Sequence, residues 1–325
     1  MVINDRVKYD VSPPVLTIIS PGNNHYTPST NINYSTSEDL RSVRIIYVGT
    51  SAERIRLTTE VTISPEGLTA GVHNSDDYAQ ADLRDSATYM IGFEAQDLAG
   101  NFANPVGLYN FHVDRTLPVF SDISPQSNAY SNNPLFEFTL SEDLYYGKVT
   151  FTEQAGSLNP GTKVEFEMDS VDFSQGFHTR DTLGNQLPLV DGAVYTIQLV
   201  GRDIANNWND TTLITNYHYD ITSPITEILD PLDSSFVNTN AVTISNSEPL
   251  LAAEMFWINP QGDAKQVALR TRDLAVGENR LIMYAVSLEE DTHYDLLLNI
   301  IDLAGNAIQT RIIEGIIYDL SLIHI

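Results

Sequence analysis

Tyr89-Met-Ile-Gly-Phe-Glu-Ala-Gln-Asp97-Leu-Ala-Gly-Asn101 decides the fold, because the chain contains this stretch three times. The second copy is Tyr195-Thr-Ile-Gln-Leu-Val-Gly-Arg-Asp203-Ile-Ala-Asn-Asn207, and the third is Tyr294-Asp-Leu-Leu-Leu-Asn-Ile-Ile-Asp302-Leu-Ala-Gly-Asn306. In each copy the Tyr precedes the Asp by eight positions, and Leu83, Leu189 or Leu288 stands six residues before the Tyr. The Tyr-to-Asp segments alternate with a period of two and carry β-branched residues, the signature of a half-buried strand. The Asp-x-Ala-Gly/Asn-Asn ending reads as a hairpin turn into the next strand. Its Asp is expected to accept hydrogen bonds from backbone N–H groups two residues on, and its Gly or Asn to take a positive φ. Asn206 stands where the other copies have Gly100 and Gly305, and Asn is the next-best residue for a left-handed position.

Outward from this stretch, the front of each unit repeats as well. Asp10-Val-Ser-Pro-Pro14 recurs as Asp114-Arg-Thr-Leu-Pro118 and Asp220-Ile-Thr-Ser-Pro224, and a second proline follows seven residues later, at Pro21, Pro125 and Pro231. Then come Ser37-Glu38-Asp39-Leu40, Ser141-Glu142-Asp143-Leu144 and Ser247-Glu248-Pro249-Leu250. Nine residues beyond each of these glutamates sits an aromatic: Tyr47, Phe151 and Trp257. From Asp10 the steps to Asp114, Asp220 and Asp319 are 104, 106 and 99 residues.

A unit of about 100 residues is too long for a solenoid repeat and matches one immunoglobulin-like sandwich. The chain therefore reads as all-β: three tandem immunoglobulin-like β-sandwich domains, over residues 11–115, 116–221 and 222–319. The paired prolines should bracket the first strand of each, at a sheet edge where a missing N–H is tolerated. The Ser-Glu-Asp/Pro-Leu segment should be the turn between the second and third strands, with the later aromatic facing the core. The Leu-x5-Tyr spacing points to a tyrosine corner, whose hydroxyl returns to backbone just upstream. Residues 1–10 read as the end of a preceding repeat, since Val7-Lys-Tyr-Asp10 matches Phe111-His-Val-Asp114, Tyr217-His-Tyr-Asp220 and Ile316-Ile-Tyr-Asp319. Residues 320–325 translate one frame of a transposase sequencing adapter and are expected to be a non-native tail.

The joint order of Asp-x-Thr/Ser-x-Pro, Ser-Glu-x-Leu and Tyr-x7-Asp-x-Ala-Gly/Asn-Asn resembles the bacterial immunoglobulin-like repeats of large surface proteins and adhesins. That resemblance spans all three units. It implies a stalk, spacer or adhesive array at the cell surface or outside the cell, with neighbouring repeats as partners and extracellular glycan or protein as targets. It implies no catalytic activity.

Composition narrows the function further. The 43 acidic and 17 basic side chains leave a formal net charge of −26, which repels nucleic acid and anionic lipid. There is no cysteine, hence no disulfide, thiolate nucleophile or thiolate metal site. No apolar stretch reaches the roughly 18 residues a membrane span needs, so no membrane insertion is expected in this segment. The N-terminal residues lack a signal peptide's basic head and apolar run, so an export signal would lie outside the chain. His25, His73, His112, His178, His218, His293 and His324 form no metal-binding pair at short spacing. No His-Glu-x-x-His, phosphate-binding glycine loop or Gly-x-Ser-x-Gly elbow occurs. A glycosidase-like carboxylate pair could be drawn from so many acids, but without a cleft-forming insert they read as surface groups. Two functions of different class remain: a structural or adhesive array, and accessory carbohydrate-binding or spacer modules of a secreted polysaccharide-degrading enzyme. What adjoins the segment would separate them.

One further expectation concerns calcium. In an immunoglobulin-like sandwich the incoming linker, the turn after the second strand and the final hairpin share one end. Those places carry Asp10, Glu38, Asp39 and Asp97 in the first unit, Asp114, Glu142, Asp143 and Asp203 in the second, and Asp220, Glu248 and Asp302 in the third. Calcium takes six to eight oxygens, several from carboxylates, in flexible geometry. Against it, each aspartate also explains itself as a turn former, and Pro249 breaks the Glu-Asp pair in the third unit.

Overall fold

The computed structural model describes residues 9–50, 58–133, 135–180, 187–282 and 286–321. Residues 1–8 and 322–325, on which much of the flanking-repeat and tail expectations rests, lie outside the described residues.

The first unit contains β1 (Leu16–Ser20), β2 (Tyr26–Thr27), β3 (Asn33–Thr36), β4 (Leu40–Gly49), β5 (Thr58–Thr62), β6 (Gly71–His73), β7 (Ala87–Asp97) and β8 (Val106–Val113). The second runs β9 (Phe120–Ser124), β10 (Tyr130–Ser131), β11 (Phe136–Leu140), β12 (Tyr146–Glu153), β13 (Lys163–Glu167), β14 (Gly176–Arg180), β15 (Ala193–Arg202) and β16 (Thr212–Tyr219). The third runs β17 (Thr226–Asp230), β18 (Phe236–Val237), β19 (Ala241–Asn246), β20 (Leu250–Ile258), β21 (Ala264–Ala268), β22 (Gly277–Ile282), β23 (Thr292–Asp302) and β24 (Ala307–Tyr318). Each unit is a sandwich of a three-stranded sheet, β1-β3-β6 in the first, and a five-stranded sheet, β2-β8-β7-β4-β5. No helix among the described residues is long and apolar enough to cross a membrane.

The paired prolines do bracket the first strand, and the second of each pair also divides it. After Pro21, Pro125 or Pro231, each preceded by a cis peptide bond, the chain leaves the small sheet. It resumes as the two-residue strands β2, β10 and β18, which pair in parallel with β8, β16 and β24 of the other sheet. A proline supplies no N–H to continue the ladder it leaves. These extra strands correct the sequence reading by one: the Ser-Glu turn joins the third and fourth strands, β3 and β4 in the first unit.

Alternation decides what is buried. In β4, Val43, Ile45 and Tyr47 point inward; β12 buries Val149 and Phe151, and β20 buries Met255 and Trp257. Tyr47, Phe151 and Trp257 are each at 0% exposure. The tyrosine corners form in all three units. The hydroxyl of Tyr89 accepts from Arg84 N at 2.9 Å, that of Tyr195 from Val190 N at 2.9 Å, and that of Tyr294 from Glu289 N at 3.0 Å. Phe151 meets Tyr195 edge-on at 6.0 Å, and Trp257 meets Tyr294 likewise at 6.0 Å, a favourable aromatic geometry. Among the described residues three separate apolar clusters result, spanning Leu16 to Val113, Phe120 to Tyr219 and Ile228 to Ile316, with no residue in common.

Candidate functional site

The Asp-x-Ala-Gly/Asn-Asn turns are built as closed loops of hydrogen bonds. Asp203 and Asn207 exchange backbone and side-chain bonds. Asp203 N donates to Asn207 O at 3.1 Å, Asn207 N donates to Asp203 Oδ1 at 2.8 Å, and Asn207 Nδ2 donates to Asp203 Oδ2 at 2.8 Å. Asp302 with Asn306, and Asp97 with Asn101, repeat the pattern. Each carboxylate accepts from the N–H four residues on, and Asp97 also accepts from Gly100 N at 2.6 Å, three residues on, and from Ala99, two residues on. The left-handed position is where the sequence placed it: Gly100 at φ 100°, Asn206 at φ 72° and Gly305 at φ 91°. The linker aspartates reach two residues on in every unit, with Asp10, Asp114 and Asp220 each accepting from the N–H of Ser12, Thr116 or Thr222.

The turn asparagines do something the sequence reading missed. Asn101 Nδ2 also donates to Asp10 O at 3.2 Å, Asn207 Nδ2 to Asp114 O at 3.0 Å, and Asn306 Nδ2 to Asp220 O at 2.9 Å. The final hairpin of each unit is thus tied to the segment entering that unit. The signal was present as an Asn in all three turns, but only its left-handed neighbour had been given a reason.

This tie brings three acids together at each entry. Oxygens of Asp10, Glu38 and Asp97, of Asp114, Glu142 and Asp203, and of Asp220, Glu248 and Asp302 each form a set within 4.8 Å of one another. Asp97, Asp203 and Asp302 are buried, at 1%, 1% and 0% exposure. Asp39 and Asp143 do not join these sets. Asp39 Oδ1 accepts from Ala70 N at 2.8 Å and Asp143 Oδ1 from Gln175 N at 2.7 Å, pinning the loop before β6 or β14. In the third unit, where Pro249 replaces them, Asn246 Nδ2 holds the corresponding loop through Asp273 O and Ala275 O.

Burial first, and crowding of like charge after it, raise the proton affinity of most of these groups. Burial pushes Glu142 up from the usual glutamate value to about 7, helped by Asp114, Asp203, Asp85 and Asp143. Burial first, and then the neighbouring acids, also raise Glu38 and Glu248. Asp114 and Asp220 are raised by burial against the pull of their turn hydrogen bonds. For Asp97 burial pushes upward too, but bonds from Asn101, Gly100 and Ala99 outweigh it and hold the carboxyl low. Glu142 Oε1 is buried with no hydrogen-bond partner.

Asp85 and Asp191 bear on these clusters from the preceding unit, and the sequence reading passed over them. Each stands four residues before a corner tyrosine, Tyr89 or Tyr195, and Glu290 stands in the same place before Tyr294.

No family model matches the chain, and no curated protein matches it. Solved structures do. The FN1–FN3 domains of chicken CNTN1 match over 93% of this chain and 99% of that one, at 12% identity and a TM-score of 0.29. A tetra-tandem repeat from the extending region of a large adhesion protein matches over 91% and 72%, at 14% identity and 0.30. A structure concerning host cell surface retention of a 1.5-MDa bacterial ice-binding adhesin matches over 95% and 100%, at 12% identity and 0.27. The fold assignment itself rests on the strand order and the three separate cores.

Proposed function

We propose that this chain is a non-catalytic structural or adhesive array, a stalk or spacer of a bacterial cell-surface or secreted protein. The observation that carries the reading is the recurring joint. Only the residues between Val113 and Phe120, and between Tyr219 and Thr226, separate one unit's last strand from the next unit's first. Each of these linkers contains a proline and is bound by the asparagine of the following hairpin. Short, tethered linkers favour fixed spacing over free tumbling. Small-angle scattering of the whole chain tests this. A compact particle of this length has a radius of gyration of about 20 Å. The array predicts a clearly larger value, and one near 20 Å sinks it.

Calcium at the joints belongs to the same proposal. Asp10, Glu38 and Asp97; Asp114, Glu142 and Asp203; and Asp220, Glu248 and Asp302 would hold it, with Asp39 and Asp143 flanking the first two sets. The oxygen-only donors, their mutual spacing and the unpartnered Glu142 Oε1 suit a hard cation that accepts irregular coordination. Bound calcium would neutralise carboxylates that otherwise repel one another. A melting temperature that rises with calcium and falls with chelator, beyond the effect of magnesium or sodium, is the expected result. A flat titration leaves these acids as turn formers.

The carbohydrate-binding alternative has one observation in its favour. Tyr145 and Trp208 are exposed on the second unit, with the Arg202 guanidinium 5.1 and 5.6 Å from their ring centroids. The guanidinium already covers ring surface that a sugar would need, so the array reading is preferred. Binding to a glycan panel that is lost in Trp208→Ala would reverse that preference.

A further inference from the structure

We infer that Asp85 and Asp191 are the positioning residues of the joints: each is a latch by which one unit grips the linker and so sets how the next unit is mounted. This rests on the array reading and adds to it the residues that hold the units in register. Asp191 lies between the tyrosine corner and β15. Its Oδ1 accepts from Ile221 N at 2.7 Å, and its Oδ2 accepts from the Thr222 hydroxyl. Asp85 repeats the construction one unit earlier: Oδ1 accepts from Arg115 N at 2.6 Å and Oδ2 from Thr116 Oγ1 at 3.3 Å. The two carboxylates reach the same two linker positions, immediately after the aspartate that ends each unit.

The grip is continuous through the joint. Tyr195 anchors Val190 N to the core of the second unit, and the next residue, Asp191, takes the linker at Ile221 and Thr222. On the far side Asn306 of the third unit takes the same linker at Asp220 O and, at 3.1 Å, at Thr222 O. Three consecutive linker residues are thus bonded alternately by the unit before and the unit after, which leaves little freedom to swivel. A carboxylate placed among Asp220, Glu248 and Asp302 would normally be resisted there. Burial does push Asp191 upward, but its bonds from Thr222, Ile221 and Gly192 prevail and keep it ionised as an acceptor. Neither Asp85 nor Asp191 belongs to the three-acid sets, so the latch is made of protein alone and should act without a divalent cation.

Each joint carries accessory bonds of its own. Arg115 donates to Pro28 O and Leu83 O in the first joint. In the second, Asn132 N donates to Ala304 O at 3.1 Å and Asn132 Nδ2 to Asn306 Oδ1 at 3.0 Å. Both joints share the asparagine tie from the following unit and the aspartate grip from the preceding one.

The chain has no cysteine, so the pair Lys163→Cys and Gln261→Cys places one label on the second unit and one on the third. Distance distributions between these labels are measured on the full chain in chelator. The latch predicts a narrow distribution for the parent chain, at least twofold broadening in Asp191→Ala, and lesser broadening in Asp191→Asn, which keeps one acceptor oxygen. Asp210→Ala, an exposed acid with the same charge change, should leave the width unaltered. Hydrogen exchange at the core amides of β15 and β23 should be unchanged in all variants, which separates loosening of the joint from unfolding of a unit. A distribution equally narrow in Asp191→Ala, or already broad in the parent chain, overturns the inference. Failure of the array reading would appear separately, as a compact particle in scattering.

Discussion

Replacing Glu142 by Gln should stabilise the second unit when no divalent cation is present. The carboxyl of Glu142 sits at about 7 in the folded chain because of burial and four neighbouring acids. In the unfolded chain those causes vanish and it returns to the ordinary glutamate range. Each tenfold change in proton affinity corresponds to about 1.4 kcal/mol, so the full displacement sets a ceiling of about 3.5 kcal/mol. The side chain is only partly buried and solvent screens its neighbours, which brings the expected effect to about 1–2 kcal/mol. The direction follows from proton uptake. Glu142 binds its proton more tightly folded than unfolded, so the second unit loses stability as pH rises from about 4.5 through about 7 and regains it on acidification. Glu142→Gln should therefore exceed the parent chain at pH 8 and match it near pH 4. Native-state hydrogen exchange at the β12 and β15 amides reads the stability of this unit within the intact chain. Calcium should invert the ranking, because a cation at 100 times its Kd adds about 2.7 kcal/mol to a chain that binds it, and the substitution removes one ligand. A variant no more stable than the parent at pH 8 in chelator, or a difference independent of pH, would refute the reasoning.

Two further outcomes follow from the same physical terms. Tyr195→Phe leaves the part-buried N–H of Val190 without its acceptor and should cost the second unit about 1–2 kcal/mol, while Tyr89→Phe and Tyr294→Phe confine their losses to their own units; exchange spread evenly over all three cores would contradict independent sandwiches. Asn206→Ala forces a Cβ-bearing residue without a local side-chain bond into φ 72° and should cost about 1–2 kcal/mol, whereas Asn206→Gly should be tolerated; denaturant unfolding that ranks Ala with Gly would remove the left-handed turn as the explanation.

The repeat made the sandwich legible because its determinants are local. Strand alternation, the Leu-x5-Tyr spacing, the core aromatics Tyr47, Phe151 and Trp257, and the positive-φ site in each hairpin all express themselves within about a dozen residues. Spacing along the chain converts directly into facing within a strand or a turn. Asp10, Glu38 and Asp97 and their counterparts could likewise be grouped from the sequence, since the sandwich brings these loops to one end. What tertiary structure alone decided are the bonds between residues distant in sequence. The partnership of β2 with β8 requires Tyr26 to lie beside His112, and nothing in two short residues announces it. Asp39 and Asp143 share their motif with Glu38 and Glu142, yet a single residue's step along a turn aims them at Ala70 N and Gln175 N instead of the cluster. Asp85 and Asp191 carried no signal in the sequence because their partners, 30 residues away, lie in the linker beyond the unit's last strand. A periodic sequence encodes the repeating unit, whereas the joint arises only when two folded units meet.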